Sequence, residues 1–174
     1  EVADAAEVSR RTAYRYFPTP DQLLVEAALE ALRPGIVEAI EGTDSDDADD
    51  VEERLDRAIR ALQRGAVANE ALLRTMIRLT VVAPAGASAA GASPLRRGYR
   101  RIEWIELALA PVRAQIGTKR FERLVSALTA CSGIDALIVL RDLRGLSESD
   151  AEEVVRWTAR TLLRETLAET APRQ

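Results

Sequence analysis

Residues 1–24 of the chain read EVADAAEVSRRTAYRYFPTPDQLL and hold its most distinctive pattern. A run of small apolar residues at 2–6 is followed by a polar turn, and Ser9 can cap a second short helix from Arg10 to about Phe17. Basic and aromatic side chains alternate over this second helix, at Arg10, Arg11, Tyr14, Arg15, Tyr16 and Phe17. Two short helices joined by a tight turn, the second rich in arginine and tyrosine, are typical of a helix-turn-helix whose second helix enters the DNA major groove.

The composition of the whole chain favours an all-helical protein. Of 174 residues, 47% are hydrophobic but only 4% are aromatic, so the core must consist mainly of alanine, leucine, valine and isoleucine. Alanine, leucine, arginine and glutamate dominate, and all four have high helix propensity. Strand-like alternation of β-branched residues does not occur in the sequence. We therefore predict an all-α fold.

Rare residue types exclude several classes of site. The chain has no histidine and a single cysteine, Cys131. Ser-His-Asp and Cys-His nucleophiles and every histidine-ligated metal site are therefore excluded, and no intrachain disulfide can form. No apolar run reaches the length of a membrane span. We expect a cytoplasmic protein that is not an enzyme, has no cofactor or metal, and does not contact a membrane.

The charge of the chain requires any DNA-binding surface to be local. The formal net charge is −4, and residues 1–33 contain four arginines against six acidic residues. Three of those arginines lie within positions 10–15. Positive potential is therefore expected over this short segment and not over the whole surface.

Apolar residues three and four positions apart predict further helices at about 21–40, 51–67, 70–82, 95–116, 119–143 and 148–169. Pro34 and the glycine after it should kink or break one helix, and Pro111 should kink another. Asn69, Thr118 and Ser147 are expected N-caps. The acidic segment 41–50, which only loosely resembles a calcium-binding loop, and the low-complexity segment 83–94 are expected loops.

The pattern V-A-x-A-A-x-V-S-x-x-T-x-Y-x-Y-F-x-x-x-x-x-L, from Val2 to Leu23, resembles the TetR family of bacterial transcriptional regulators. The resemblance implies a helix-turn-helix DNA-binding domain at 1–40, with a further helix expected before Glu1, and a larger helical ligand-binding and dimerisation domain at 41–174. It implies a recognition helix at 10–16. The implied DNA-binding residues are Ser9, Arg10, Arg11, Thr12, Tyr14, Arg15 and Tyr16.

Two positions depart from the family pattern. Glu7 stands in the turn where the family usually has glycine, and it is unfavourable there if φ is positive. Pro20 stands where the family commonly has a lysine that contacts phosphate. Loss of one phosphate contact would weaken binding to every DNA sequence. It would also reduce the slope of log affinity against log salt concentration by roughly one unit.

The resemblance also implies a ligand site and a dimer seam in the larger domain. Candidate ligand-binding residues are Met76, Leu79, Tyr99, Trp104 and Leu107, with Arg78 and Glu103 as polar anchors. Candidate residues of a two-fold four-helix seam are Leu128, Leu137, Leu140, Val154, Thr158 and Leu162. Each of these residues could instead belong to the core of its own subunit. With no histidine, the expected ligand is apolar or amphipathic.

The function implied is a ligand-responsive regulator, a homodimer that a small-molecule effector releases from a near-palindromic double-stranded DNA operator. Pro34 and Gly35 are the candidate hinge between the two domains. A helical interaction module that does not bind DNA is one alternative. An all-helical enzyme is another, although the carboxylate pair Glu103 and Glu106 reads as an ion-paired helix surface.

Overall fold

The computed structural model describes residues 7, 9–17, 19–41, 51–81 and 99–170, without the side chains at 15, 21, 22, 25, 28, 29, 31, 32, 79 and 80. All regular structure in these ranges is helical, which confirms the all-α class. The expected loops 41–50 and 83–94 lie almost entirely outside the described residues.

Nine α-helices follow one another along the described chain. They are α1 (Arg10–Tyr16), α2 (Pro20–Glu41), α3 (Val51–Ala68), α4 (Glu70–Val81), α5 (Tyr99–Leu109), α6 (Arg113–Ile116), α7 (Thr118–Ala130), α8 (Gly133–Ile138) and α9 (Glu148–Ala168). A 3-10 turn, Ala110–Val112, joins α5 to α6, and a π-helix, Val139–Leu143, follows α8.

The chain forms two compact units, each discontinuous in sequence. The first consists of Glu1–Ala31 with Ala71–Arg97, and the second of Leu32–Glu70 with Gly98–Gln174. The division therefore falls within α2 and within α4, and not at the acidic segment where composition changes.

An apolar core holds the second unit together. Helix α3 packs against α5, α8 and α9, and α7 packs against α5 and α9. Ile59, Ile105, Phe121 and Leu163 are fully buried where these helices meet. Each helix contributes apolar residues three or four positions apart, so one face of each is covered by its neighbours.

Pro111 interrupts the helix predicted at 95–116, as expected, and an arginine of α3 compensates for it. Proline has no N–H, so the carbonyl of Leu107 loses the partner that a continuous helix would supply four residues later. Arg54 Nη2 donates to Leu107 O at 3.2 Å, and Arg54 Nε to Ala108 O at 3.4 Å. Arg57 Nε acts in the same way at the end of α2, donating to Ala39 O at 3.0 Å. Two α3 arginines thus satisfy the C-terminal carbonyls of neighbouring helices.

The prediction of a single helix at 119–143 is wrong, because the helix is interrupted at residues 131 and 132. Gly133, the first residue of α8, has φ +70°, a left-handed conformation that glycine adopts without strain. Thr118 is the first residue of α7 and not its cap, since Gly117 occupies the cap position without a side-chain hydrogen bond.

Three other local predictions were tested by the structure. Ser147 caps α9 as expected, accepting from Asp150 N at 3.2 Å. Among the described residues no hydrogen bond is found from the first turn of α4 to the Asn69 side chain; instead, Asn69 Nδ2 donates to Gly65 O at 2.9 Å and satisfies the end of α3. Pro34 does not break α2, which continues through it to Glu41.

Ion pairs join α3 and α9 in antiparallel order. Asp56 binds Arg156 through both carboxylate oxygens, at 2.7 and 2.9 Å, and Glu52 binds Arg164 in the same way, at 2.6 and 3.0 Å. These hydrogen bonds raise the pKa of both Arg156 and Arg164 above its ordinary value. Bidentate geometry fixes the register of the two helices.

Within the described residues, no single helix has both the length and the apolar composition needed to cross a membrane. The bent pair Thr118–Ala130 and Gly133–Leu143 meets these criteria only when the two segments are taken together. Phe121, Leu124 and Leu128 of this pair are buried in the protein core.

Candidate functional site

Helix α1 begins at a well-formed cap. The N–H of Thr12 donates to Ser9 Oγ at 3.1 Å, which confirms Ser9 as the N-cap. The hydroxyls of Ser9 and Thr12 are also hydrogen-bonded to each other at 2.8 Å. Before the cap, Glu7 has φ +53°, the strained conformation expected if glutamate replaces glycine in this turn. Glu7 therefore holds a left-handed backbone conformation that glycine would adopt without strain.

One face of α1 presents basic and aromatic side chains to solvent. Arg10 and Tyr14 lie one turn apart, Arg11 is adjacent to Arg10, and all three are exposed, Tyr14 by 60%. Tyr16 is exposed elsewhere on the helix, and Thr12 is half-buried at the cap. The Arg15 side chain lies outside the described residues. Guanidinium donors and phenolic hydroxyls on one helix face can contact phosphates or the acceptor edge of guanine.

The hydroxyl of Thr12 keeps hydrogen-bonding capacity beyond its contact with Ser9. A hydroxyl has one donor and two acceptor lone pairs, so the Ser9–Thr12 pair can still donate one hydrogen to an anion. Backbone N–H groups at the start of α1 add partial positive charge beside this pair. The first turn of α1 contains no acidic residue that would oppose an anion.

The candidate ligand-binding residues are distributed over both compact units. Met76 is buried in the first unit, and the side chain of Leu79 lies outside the described residues. Trp104 is buried in the core of the second unit, Leu107 packs against that core, and Tyr99 is half-buried. Of the expected polar anchors, Arg78 is exposed, and Glu103 forms an ion pair with Arg33 at 3.4 Å.

Two of the six candidate dimer residues have no surface available to a partner. Leu128 and Leu137 are each 1% exposed and belong to the interior of their own subunit. The prediction that these two residues lie in the dimer seam is therefore wrong. Leu140, Thr158 and Leu162 are half-buried, and Val154 is exposed. Leu128 and Leu137 face inward because α7 and α8 pack as separate segments around the break at Ser132.

Sequence reasoning missed the exposed apolar side chains of the C-terminal helices. Trp157 is 63% exposed on α9, one turn after Val154, and Leu143 is 77% exposed at the end of the π-helix. Val139 of the same π-helix is also exposed, and this π-helix packs against α9. A helical projection of 148–169 places Val154, Trp157 and Thr161 on one side of α9. This pattern could have identified the exposed Trp157 from the sequence.

An open cleft of about 960 Å³ lies beside Trp157, lined by residues of α9 and its cap together with Arg64 of α3. Its arginines are engaged with acidic residues, as in the contact of Arg64 with Glu152 at 3.5 Å. The cleft therefore presents mixed charge and an indole ring.

Comparison of the chain with protein-family models, with curated proteins and with solved structures gives no match.

Proposed function

We propose that the chain is a ligand-responsive, DNA-binding transcriptional regulator of the TetR type, which acts as a homodimeric repressor. The observation that supports it most is α1, a capped helix that carries exposed Arg10, Arg11 and Tyr14 on one face. Arginine donors at this spacing suit a major groove, where a bidentate contact to guanine contributes about 1–3 kcal/mol of discrimination.

Homodimerisation is proposed through the C-terminal helices. The proposed apolar patch consists of Val139, Leu143, Val154 and Trp157, on two neighbouring elements of the second unit. Exposed apolar side chains clustered in this way mark interaction surfaces. A two-fold dimer would present two copies of α1 about 34–36 Å apart, the spacing of successive major grooves, and so would bind a near-palindromic operator.

The proposed ligand response is a shift between two conformations of this dimer. A small apolar or amphipathic effector would favour the conformation in which the two α1 helices are wrongly spaced for adjacent grooves. A coupling of about 1–3 kcal/mol would lower operator affinity roughly 5- to 150-fold.

The experiment is a fluorescence-anisotropy titration of the full-length protein with the DNA that flanks its own gene, at two salt concentrations, with a nonspecific duplex as reference. The variants are Arg11→Ala and Tyr14→Ala in α1, and the matched control is Arg144→Ala, an exposed arginine of the second unit. We expect selective binding that Arg144→Ala leaves unchanged and that Arg11→Ala weakens about 5- to 150-fold. Equal affinity for both duplexes, or equal effects of the two arginine variants, would refute DNA recognition by α1 and favour the interaction module without DNA binding.

A further inference from the structure

Trp157 borders two features of the same surface of the second unit. Its side chain, 63% exposed, belongs to the proposed apolar patch and also lines the cleft of about 960 Å³. The other walls of this cleft come from α9 with its cap and from Arg64 of α3. A largely exposed aromatic ring and a depression wide enough to receive one are thus adjacent on one surface.

The two-fold symmetry of a homodimer would bring these two features together. In such an interface the same patch of both subunits meets, so a ring that projects from the patch must find its depression within that patch. A two-fold axis beside Trp157 directs the ring of each subunit toward the cleft of the other, and the same fit is made twice. An enclosed tryptophan buries about 150–250 Å², so this fit removes a large apolar area from water.

The charges of the cleft suit an aromatic ring better than a free anion. Arg64 contacts Glu152 at 3.5 Å, and Arg156 and Arg160 contact Asp56 at 2.7 and 3.8 Å. Because carboxylates offset their charges, these arginines attract an anion only weakly, whereas the flat face of a guanidinium group still packs well against an aromatic ring. The Arg64 side chain is 67% exposed and therefore accessible to such a ring.

The cleft also offers acceptors for an indole N–H. Glu148 and Glu153 both line it and are exposed, and neither forms an ion pair with another of the described residues. A carboxylate accepts hydrogen bonds and an indole nitrogen only donates them, so the two groups are complementary. A tryptophan that enters the cleft can therefore keep its N–H hydrogen-bonded after it leaves water.

We propose that the Trp157 of each subunit inserts into the cleft of the other, where its ring packs against the Arg64 side chain. The occupant of the cleft is then a second copy of this chain. The inference rests on the homodimer of the proposed function and extends its interface from the apolar patch on the C-terminal elements to α3. The exposed ring and the open cleft have one explanation, because each is the counterpart of the other.

Isotope-separated nuclear Overhauser measurements on a mixed dimer test the insertion with Trp157 intact. One chain is labelled with nitrogen-15, and the other contains arginine labelled with carbon-13, so a contact between the two labels can only be intersubunit. We expect the Trp157 N–H to show contacts with arginine side chains of the other chain, and the buried Trp104 to show none. Arg64→Ala in the second chain should remove contacts that Arg123→Ala, at an exposed position of α7, leaves in place.

A second variant fills the cleft instead of probing it. Ser149 is exposed and lines the cleft, so Ser149→Trp should occupy the space that the ring of the other subunit requires. Ser126→Trp makes the same change at an exposed position of α7, outside the cleft. In sedimentation equilibrium, Ser149→Trp should weaken the dimer roughly 30-fold, as expected for exclusion of a tryptophan hot spot, and Ser126→Trp should not.

The outcomes separate the insertion from the homodimer itself. A dimer in which the Trp157 N–H makes no contact with arginines of the other chain would overturn the insertion and leave the homodimer in place. Equal dissociation constants for the Ser149→Trp and Ser126→Trp dimers would do the same. A wild-type chain that remains monomeric at all concentrations would overturn both.

Discussion

Replacing Gly133 with alanine should destabilise the second unit much more than the same change at Gly145. The two glycines have nearly the same backbone conformation, with φ of +70° and +68°. A Cβ atom at Gly145 would meet nothing within 4 Å, whereas at Gly133 it would lie 2.7 Å from Arg101 Nη1 and 3.2 Å from Arg101 Cδ. The two substitutions thus share the backbone strain and differ in the contact with Arg101.

The magnitudes follow from these contacts. A left-handed alanine costs about 1–2 kcal/mol, and its lower entropy in the unfolded chain returns about 0.4–1 kcal/mol, so Gly145→Ala should cost about 1 kcal/mol. At Gly133 the guanidinium must also move away from Ser132 O and Asp135, which it contacts at 2.6 and 3.0 Å. Loss of a hydrogen bond to a charged group costs about 1.5–3 kcal/mol, so the total for Gly133→Ala is about 2–4 kcal/mol.

Urea unfolding followed by tryptophan fluorescence measures this difference, because Trp104 and Trp157 both belong to the second unit. In an Arg101→Ala background, the cost of Gly133→Ala should fall to that of Gly145→Ala, since the clash is no longer present. Equal destabilisation by the two glycine variants in the wild-type background would refute the reasoning. So would a Gly133→Ala cost that persists unchanged without Arg101.

Three further predictions concern the same unit. Leu163→Ala, at a fully buried position, should lower the free energy of urea unfolding by about 2–5 kcal/mol, whereas Leu143→Ala at an exposed one should change it little. Asp56→Asn should cost about 1–3 kcal/mol in the same assay, because it breaks a partly buried bidentate pair. The hydrogen bond from Arg123 lowers the pKa of Glu169, so the stability that Glu169 contributes should be full above its ordinary pKa of 4.5 and should be lost as pH falls below it. The stability difference between wild type and Glu169→Gln, measured from neutral pH down through this range, should therefore shrink; a constant difference would contradict it.

The proposed dimer can be tested apart from DNA binding. Trp157→Glu places a negative charge in the proposed apolar patch. Ile102→Glu places the same charge at an exposed apolar position of α5, outside that patch. Sedimentation equilibrium should show dimers for wild type and Ile102→Glu, and monomers for Trp157→Glu. Wild-type protein that is monomeric at all concentrations, or dimers retained by Trp157→Glu, would count against this surface.

The sequence by itself determined the features that depend on neighbouring residues. The all-α class, the caps at Ser9 and Ser147 and the interruption at Pro111 follow from helix propensity, side chains within reach of the first turn, and a missing N–H. These energies act within a few positions of the residue that causes them, so a local pattern is enough to predict them.

Only the tertiary structure decided the features that depend on residues far apart in sequence. The peptide group between Ser132 and Gly133, at the break between α7 and α8, is bound by Gln63 and Arg101, which lie 70 and more than 30 residues away. Apolar residues at helical spacing lie on both sides of this break, so the sequence pattern does not reveal it. Leu137 and Trp157 are both apolar residues on C-terminal helices, but one is buried and the other exposed because α8 packs against α3. Burial and hydrogen-bond pairing depend on which helices meet, and the spacing along one helix does not contain that information.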